Sequence, residues 1–335
     1  MKAIRLEGSG GLERLTVVEM DEPGAPQEGE IQVRVHAGSL NYHDYLVALG
    51  KIPTADGLIP LSDGAGIVER IGAGVSDFAV GDHVVSCFFP AWQNGQAVVS
   101  GVATVPGDSV DGYAREKVVR PANWFTCAPE HYSHAEAATL TTAGLTAWRA
   151  LVSDGPLRAG ESVLILGTGG VSLFALQFAK MMGALTIVTS SSDEKLDRAR
   201  TLGADHIINY RQYPNWADQV LERTGGRGVD HVIEVGGPDT LPQSISACRI
   251  GGHIAFIGVL TGFSGPIPTV KLLTRQVRLQ GLQVGSRQQQ TEMIRALDAN
   301  GTKPVIDKTF ALQDLIEAFR YEASGAHFGK ICIEV

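Results

Sequence analysis

The stretch Val163-Leu164-Ile165-Leu166-Gly167-Thr168-Gly169-Gly170-Val171-Ser172 decides the fold. Its four leading apolar residues read as a buried strand, the glycines as a tight turn, and a helix starts at once. Gly167 permits the turn, while Gly169 or Gly170 lets backbone N–H groups approach a pyrophosphate at the positive end of that helix. Ser172 stands where a third glycine is usual. Beyond the turn Val171, Phe174, Ala175, Phe178 and Ala179 fall at i, i+3, i+4, i+7 and i+8, the apolar stripe of a helix packed on a sheet. A lone glycine turn is also a common structural device. Its setting within a βαβ unit is what favours a dinucleotide site.

Working outward, apolar runs at 185–188, 232–235 and 254–257 alternate with helical segments, so from about Ala143 the texture is that of a parallel, doubly wound sheet. The first third is different. Ile31, Val33, Val35 and Ala37 alternate with polar residues, Gly66-Ile67-Val68-Glu69 and His83-Val84-Val85 read as further short strands, and Glu22-Pro23-Gly24 and Val80-Gly81-Asp82 mark turns. Residues 312–322 read as a helix and 330–335 as a last strand. The piece from 284 onward is too short for a domain alone and would complete the core of the N-terminal β region.

Composition sets the limits. At 335 residues the chain exceeds one ordinary core, and 44% hydrophobic with 19% charged residues describes a folded protein, not a disordered or coiled-coil chain. A net charge of -8 offers no broad basic field to nucleic acid or an anionic membrane. No run of about 18 apolar residues occurs, and Met1-Lys2-Ala3-Ile4-Arg5 lacks the apolar core of a signal peptide, so a cytoplasmic location is the expectation. Cys87, Cys127, Cys248 and Cys332 form no CxxC pair and read as buried free thiols. No internal repeat or low-complexity linker is present.

The second strand of the βα region ends Thr189-Ser190-Ser191-Ser192, about twenty residues after the glycine turn. An NAD site normally places Asp or Glu here, to accept from the adenosine ribose. Ser190 carries no negative charge, and Ser191, Ser192, Lys195 and Arg198 are positioned in sequence to donate to a 2′-phosphate, so NADP(H) is the expected cofactor. The serines also suit a plain helix cap before Asp193. The two roles use the same free N–H groups.

Five stretches together resemble the medium-chain dehydrogenase/reductase superfamily, in particular its zinc-free, quinone-oxidoreductase-like branch. They are Ala37-Gly38-Ser39-Leu40-Asn41-Tyr42-His43-Asp44, Ser62-Asp63-Gly64-Ala65-Gly66-Ile67-Val68, Ala143-Gly144-Leu145-Thr146-Ala147, the Gly167 turn, and Thr224-Gly225-Gly226-Arg227-Gly228-Val229-Asp230. The resemblance implies an α/β chain in which a GroES-like β-rich substrate domain, residues 1–142 with 284–335, surrounds a Rossmann domain at 143–283. It also implies an active site in the cleft between them and a homodimer or homotetramer.

Zinc-dependent alcohol dehydrogenases of that superfamily hold the metal with Cys, His and a second Cys, beside a Glu. Matching their motifs puts Asn41 at the first Cys, Ser62 at the His, Asp63 at the Glu and Thr142 at the second Cys, so no metal is expected. The stretch between Phe88 and Val119, where the family's structural zinc cysteines would lie, has no Cys. A rival ligand set of His36, His43 and Asp63 would make the chain a zinc-type alcohol dehydrogenase after all. The resemblance further places Thr146 beside the nicotinamide, Gly167, Thr168, Gly169, Gly170 and Val171 at the pyrophosphate, Ser190, Ser191, Lys195 and Tyr210 around the adenosine phosphate, and Gly258, Val259 and Val284 on the nicotinamide side. Lys330 reads either as a solvated charge or, by the same resemblance, as a group reaching the pyrophosphate.

Without a metal, hydride transfer to a conjugated acceptor, a quinone or an α,β-unsaturated carbonyl, is the expected reaction, because conjugation spreads the arriving charge and hydrogen-bond donors suffice. Asn41, Tyr42 and His43 are the candidate catalytic residues. Asn41 has an amide to donate and His43 a proton to return to an enolate, although each also has an ordinary structural role open to it. A small carbonyl or quinone is the expected partner, with neither nucleic acid nor membrane. Relatives in this branch that serve as NADPH-binding structural or RNA-binding proteins mark the non-catalytic alternative.

Overall fold

The structure, a computed structural model, describes all residues 1–335 and divides into two compact units, Met1–Leu145 with Val284–Val335, and Thr146–Gln283. In chain order the strands are β1 (Lys2–Leu6), β2 (Leu15–Glu19), β3 (Glu30–Ser39), β4 (Asp63–Ile71), β5 (His83–Ser86), β6 (Lys117–Pro121) and β7 (Phe125–Cys127). There follow β8 (Ser162–Leu166), β9 (Leu185–Ser190), β10 (His206–Asn209), β11 (Val229–Glu234), β12 (Cys248–Phe256) and β13 (Arg278–Gly281), and then β14 (Ile306–Ala311) and β15 (Lys330–Glu334).

The discontinuous unit is built on a sheet of order β14-β15-β3-β4-β5-β7, with β6 also paired to β3, beside a β1–β2 ribbon. The alternation seen from Ile31 to Ala37 is the inward row of β3, and Ile31, Val33 and Val35 pack with Val68, Val84, Val118 and Phe125. Close approach dictates one glycine: a Cβ on Gly66 would stand 1.9 Å from the Arg34 carbonyl oxygen of the neighbouring strand. The C-terminal piece is integral here. β15 pairs antiparallel with β3, Cys332 opposite Ser39, while Leu315, Phe319, Ile331 and Ile333 share one core with Ile4, Leu40, Val47 and Leu61. The helix expected at 312–322 begins instead as a short 3-10 turn, Leu312–Asp314, and runs on as Leu315–Ala323.

The second unit is a six-stranded parallel sheet of order β10-β9-β8-β11-β12-β13. Counted from its own first strand this is 3-2-1-4-5-6, the doubly wound arrangement whose direction reverses between β8 and β11. All five residues of β8 are buried, which is why it is apolar without alternation from Val163 to Leu166. The helix Gly170–Met181 buries Phe174, Ala175, Phe178 and Ala179 as its spacing requires. Against an expected division at 142/143, the units part inside a helical run in which π-helical turns, Leu140–Gly144 and Arg149–Ser153, flank Leu145–Trp148.

Candidate active site

In the discontinuous unit the residues at the metal-ligand positions are gathered together, around a lysine. Lys330, the first residue of β15, is 4% exposed; its Nζ donates to Asn41 Oδ1 at 2.6 Å and to the Leu40 carbonyl, and lies 3.9 Å from Asp63 Oδ2. This corrects the expectation of a solvated charge at Lys330. Burial strips water from the amine, and the oxygens of Leu40 and Asn41 replace it. The expected position at 62, Ser62, and its neighbour Asp63 are fully buried. Thr142 Oγ1, from the first π turn, donates to Asp63 Oδ1 at 2.6 Å, while Asp63 Oδ2 has no hydrogen-bond partner.

Asn41 caps the helix Tyr42–Ala48. Its backbone N–H and its Nδ2 both donate to Asp44 Oδ2, at 3.0 and 3.1 Å, and Nδ2 also reaches the Ser39 carbonyl at 3.5 Å. Asn41 is therefore spent on both sides, on Asp44 as donor and on Lys330 as acceptor. Asp44, wholly buried, also accepts from the Ser62 N–H at 2.9 Å and the Ser62 hydroxyl at 3.0 Å. Burial opposes its ionisation, but His43 and the Ser62 bonds outweigh burial and hold its pKa below the usual range. Asp63 goes the other way: burial, only partly offset by Lys330 and reinforced by Asp44, lifts its pKa to about 6.

His43 is partly exposed. Its Nε2 is 3.1 Å from Asp108 Oδ2, its Nδ1 is 4.0 Å from Asp44 Oδ1 with no hydrogen bond, and its ring packs edge-on against Phe88 at 5.3 Å. Burial by itself would lower its pKa, yet the two carboxylates prevail and raise it to about 9. At neutral pH the imidazole is a cation that holds a proton ready to give. Tyr42 opens the helix with its ring 6.1 Å from Tyr45. Glu322 completes the set; burial pushes its carboxyl up to about 8, with Lys330 opposing and Asp44 adding to the shift.

The Rossmann unit presents its own site at the carboxyl ends of β8 and β9. Gly167 takes φ +73, a Cβ on Gly169 would meet nothing within 4 Å, and no side chain caps the start of the helix Gly170–Met181, whose first N–H groups lack partners within the helix. Ser172, in place of the third glycine, donates its buried hydroxyl to the Leu166 carbonyl at 2.7 Å and ties helix to strand. Thr168 is buried and Val171 half-buried. Ser190 is 4% exposed, and its Oγ accepts from the Ser192 N–H at 3.3 Å. The cap of the next helix, Asp193–Thr201, is Ser192, whose hydroxyl accepts from the Lys195 N–H; the capping role thus falls to one serine of the three. Tyr210 lies alongside, its N–H donating to the Ser190 carbonyl and its side chain exposed. Ser191 and Lys195 are half-buried, and Thr146 is buried.

At the end of β12, Gly258 is required. A Cβ there would come within 1.7 Å of the Val235 carbonyl oxygen. Val259 is half-buried after it, and Val284, in the other unit, holds a strained φ of +40 that a β-branched residue rarely adopts. The sequence reading missed Glu234, fully buried at the end of β11. Its Oε1 accepts from the N–H groups of Gly236 and Gly237 and from Thr240, and its Oε2 from the Ser244 hydroxyl. This carboxylate shapes the loop at the sheet's reversal point. Asp44 and Asp108 were missed likewise.

The residues at the zinc positions do not fit the metal. An amide and a hydroxyl side chain replace the thiolates, and a lysine amine stands against Asn41 and Asp63. No group of three or more His, Cys, Asp or Glu side chains stands in a metal-holding arrangement, so the rival set of His36, His43 and Asp63 is not assembled; His36 stacks on His134 instead, ring centroids 4.6 Å apart. The glycine turn, by contrast, fits a nicotinamide dinucleotide.

Comparison with known proteins agrees with the two-unit architecture. The alcohol dehydrogenase GroES-like domain matches residues 27–130, and the zinc-binding dehydrogenase family matches residues 170–299. A zinc-type alcohol dehydrogenase-like protein of Schizosaccharomyces pombe is 40% identical, covering 97% of this chain and 96% of its own. The crystal structure of an NAD-dependent alcohol dehydrogenase superposes with a TM-score of 0.91 at 32% identity, over 100% of both chains. A mycobacterial protein solved with NADPH superposes at 0.84 with 26% identity, again over 100% of both. With a reversing parallel sheet, a glycine turn at its switch point and a β-rich unit formed from both chain ends, the chain belongs to the medium-chain dehydrogenase/reductase superfamily and is an oxidoreductase.

Proposed function

We propose that the protein is a zinc-independent, NADPH-dependent reductase of quinones or α,β-unsaturated carbonyls. The observation that carries this is the cluster of Asn41, Asp63, Thr142 and Lys330, where neutral donors and an amine replace a metal's ligands, beside a protonated His43. NADPH supplies a hydride to the conjugated acceptor. The chain does the rest: backbone N–H groups of Gly169, Gly170 and Val171 bind the pyrophosphate, and Ser190, Ser191 and Lys195, bordered by Tyr210, receive the 2′-phosphate. Thr146, Gly258 and Val259 shape the nicotinamide side of the Rossmann unit's site. His43 donates the proton that balances the hydride, to the enolate carbon or the quinone oxygen. Asn41 acts here as a positioning residue, holding Asp44 and Lys330, and Tyr42 flanks the acceptor.

Anaerobic steady-state kinetics with a quinone, an enone and a primary alcohol tests the reaction class, alongside metal analysis of the purified chain. Quinone or enone reduction by NADPH is expected to exceed alcohol oxidation, with well under one zinc per chain. Faster alcohol oxidation, or about one zinc per chain, would sink the proposal. A homodimer or homotetramer is part of the same reading. It is supported by the unpaired outer edge of β13 and by exposed Leu260, Phe263, Val270 and Leu273 in the segment before it, and sedimentation equilibrium checks it.

A further inference from the structure

The Rossmann unit has a polar cavity, of about 230 Å³, at the end of its sheet opposite the glycine turn. Arg158, Glu161, His231, Arg249, His253 and Arg278 line it. They stand at or near the leading ends of the strands: Glu161 directly precedes β8, His231 is the third residue of β11, and Arg278 is the first of β13. Ligands of doubly wound sheets bind outside the carboxyl ends, so this cavity is separate from the nucleotide site.

Its charges do not balance. Asp230, also on the wall, is consumed by Arg227 at 2.9 and 2.7 Å, by Arg249 at 2.5 Å and by Ser162, which together hold its carboxyl far below the usual range against the effect of burial. Glu161 accepts from His231 Nε2 at 3.0 Å and from the Arg158 N–H at 2.9 Å. The three guanidinium groups on the wall, with Arg227 beside it, meet two carboxylates, and those of Arg158 and Arg278 have no carboxylate within ion-pair distance. Two buried imidazoles also face an absent partner: His231 Nδ1 and His253 Nε2 have none, although the side chains are only 5% and 2% exposed. Their rings meet edge to face at 5.9 Å. Burial, joined by the charge of Arg278 and by His231, presses the pKa of His253 down to about 4, the response of a site short of negative charge.

We infer that this cavity is a binding site for a small phosphate-bearing anion. Two unpaired guanidinium forks match the oxygens of a phosphate, and a phosphate supplies both kinds of partner the imidazoles lack. With Nε2–H turned to Glu161, His231 Nδ1 is an acceptor, which a P–OH satisfies; His253 Nε2 gains an oxygen. At roughly 30 Å³ per water-sized group the cavity exceeds a phosphate ion and leaves room for a tail of a few carbon or oxygen atoms.

Titration calorimetry on the full chain, with NADP+ saturating, tests this using inorganic phosphate, glycerol 3-phosphate and malonate, compared with the double variant R158Q/R278Q. Saturable phosphate binding is expected, tighter for glycerol 3-phosphate if a phosphomonoester is the natural occupant and equal or weaker if free phosphate is. The double variant is expected to lose about tenfold or more. Should it fail to fold, Arg278→Gln alone carries the comparison, since Arg278 is exposed and makes no ion pair. Nitrogen-15 spectra should show the ring signals of His231 and His253 moving on phosphate addition. No saturable binding, malonate binding better than either phosphate compound, or equal phosphate affinity in wild type and variant would each overturn the inference.

Discussion

Replacing Lys330 by methionine removes the amine and keeps the stem, so it isolates the charge. The wild-type nitrogen bonds to Asn41 Oδ1 and the Leu40 carbonyl and sits 3.9 Å from a fully buried Asp63. Breaking a buried ion pair from one side costs about 3–5 kcal/mol, and part of that comes from the two acceptors left dry. For a unit of this size the loss lowers Tm by roughly 6–20 °C. The pH dependence separates the parts. The Asp63 pKa is raised on folding, to about 6, so its ionisation detracts from stability as pH rises from the unfolded value toward and past 6. Without Lys330 the folded pKa climbs further. The deficit of Lys330→Met should therefore be greatest at pH 7.5 and shrink toward pH 4.5, where the aspartate is neutral in the folded state. Asp63→Asn in the same chain should restore part of the loss at pH 7.5. Scanning calorimetry of the three proteins at both pH values is the assay; a Tm of Lys330→Met within about 1 °C of wild type, or a deficit independent of pH, would refute a buried charge pairing at Lys330.

His43 yields a kinetic expectation. Its folded pKa, raised to about 9, keeps the proton-donating form present through neutrality, so reductase kcat should fall as pH rises through 9; His43→Gln should lower the rate and erase that limb, and an unchanged profile removes His43 from proton transfer. By linkage the same group contributes stability present below its unfolded pKa near 6.5 and lost as pH climbs through 9, which melting curves of wild type and variant will show. Ser190→Asp places a charge against a 2′-phosphate and should shift preference toward NADH by about 1–3 kcal/mol, read from dissociation constants of the two nucleotides. Gly258→Ala forces a Cβ against the Val235 carbonyl and should cost stability by about 1–3 kcal/mol or more, with weakened nucleotide binding; a wild-type Tm would show that the β12 loop yields freely.

What could be read from the sequence was what is local. The glycine turn, the apolar β8 and the stripe at Phe174 and Phe178 are each written within a dozen residues, because strand burial and helix periodicity are short-range consequences of side-chain direction. The return of the C-terminal piece was readable for another reason: a segment too short to bury its own core must find one elsewhere. Lys330 was not readable. Its partner Asn41 lies 289 residues away, and nothing in Phe328-Gly329-Lys330 distinguishes a buried amine from a surface one. The same holds for Asp108, 65 residues from His43, and for Glu234, whose donors become a set only when the loop closes on them. Among Ser190, Ser191 and Ser192 the composition announced a cap, but only backbone geometry selects Ser192.

The substitutions at the metal positions and the burial of Lys330 are one electrostatic arrangement. Thiolate ligands carry negative charge that a divalent ion offsets; with Asn41 and Thr142 in their places that negative charge is gone, and the positive charge at the site is carried by Lys330 instead. Two buried carboxylates persist, Asp44 and Asp63, and they still demand cations. Asp44 is served by His43 and by the Ser62 and Asn41 donors, so it stays ionised. Asp63 has only Thr142 on one oxygen and a lysine 3.9 Å from the other, and its pKa rises toward neutrality. The result is a site holding mobile protons on His43 and Asp63 where a metal enzyme holds a fixed Lewis acid. On the proposed function, such a site favours acceptors that need a proton delivered after the hydride over those that need an oxygen polarised before it.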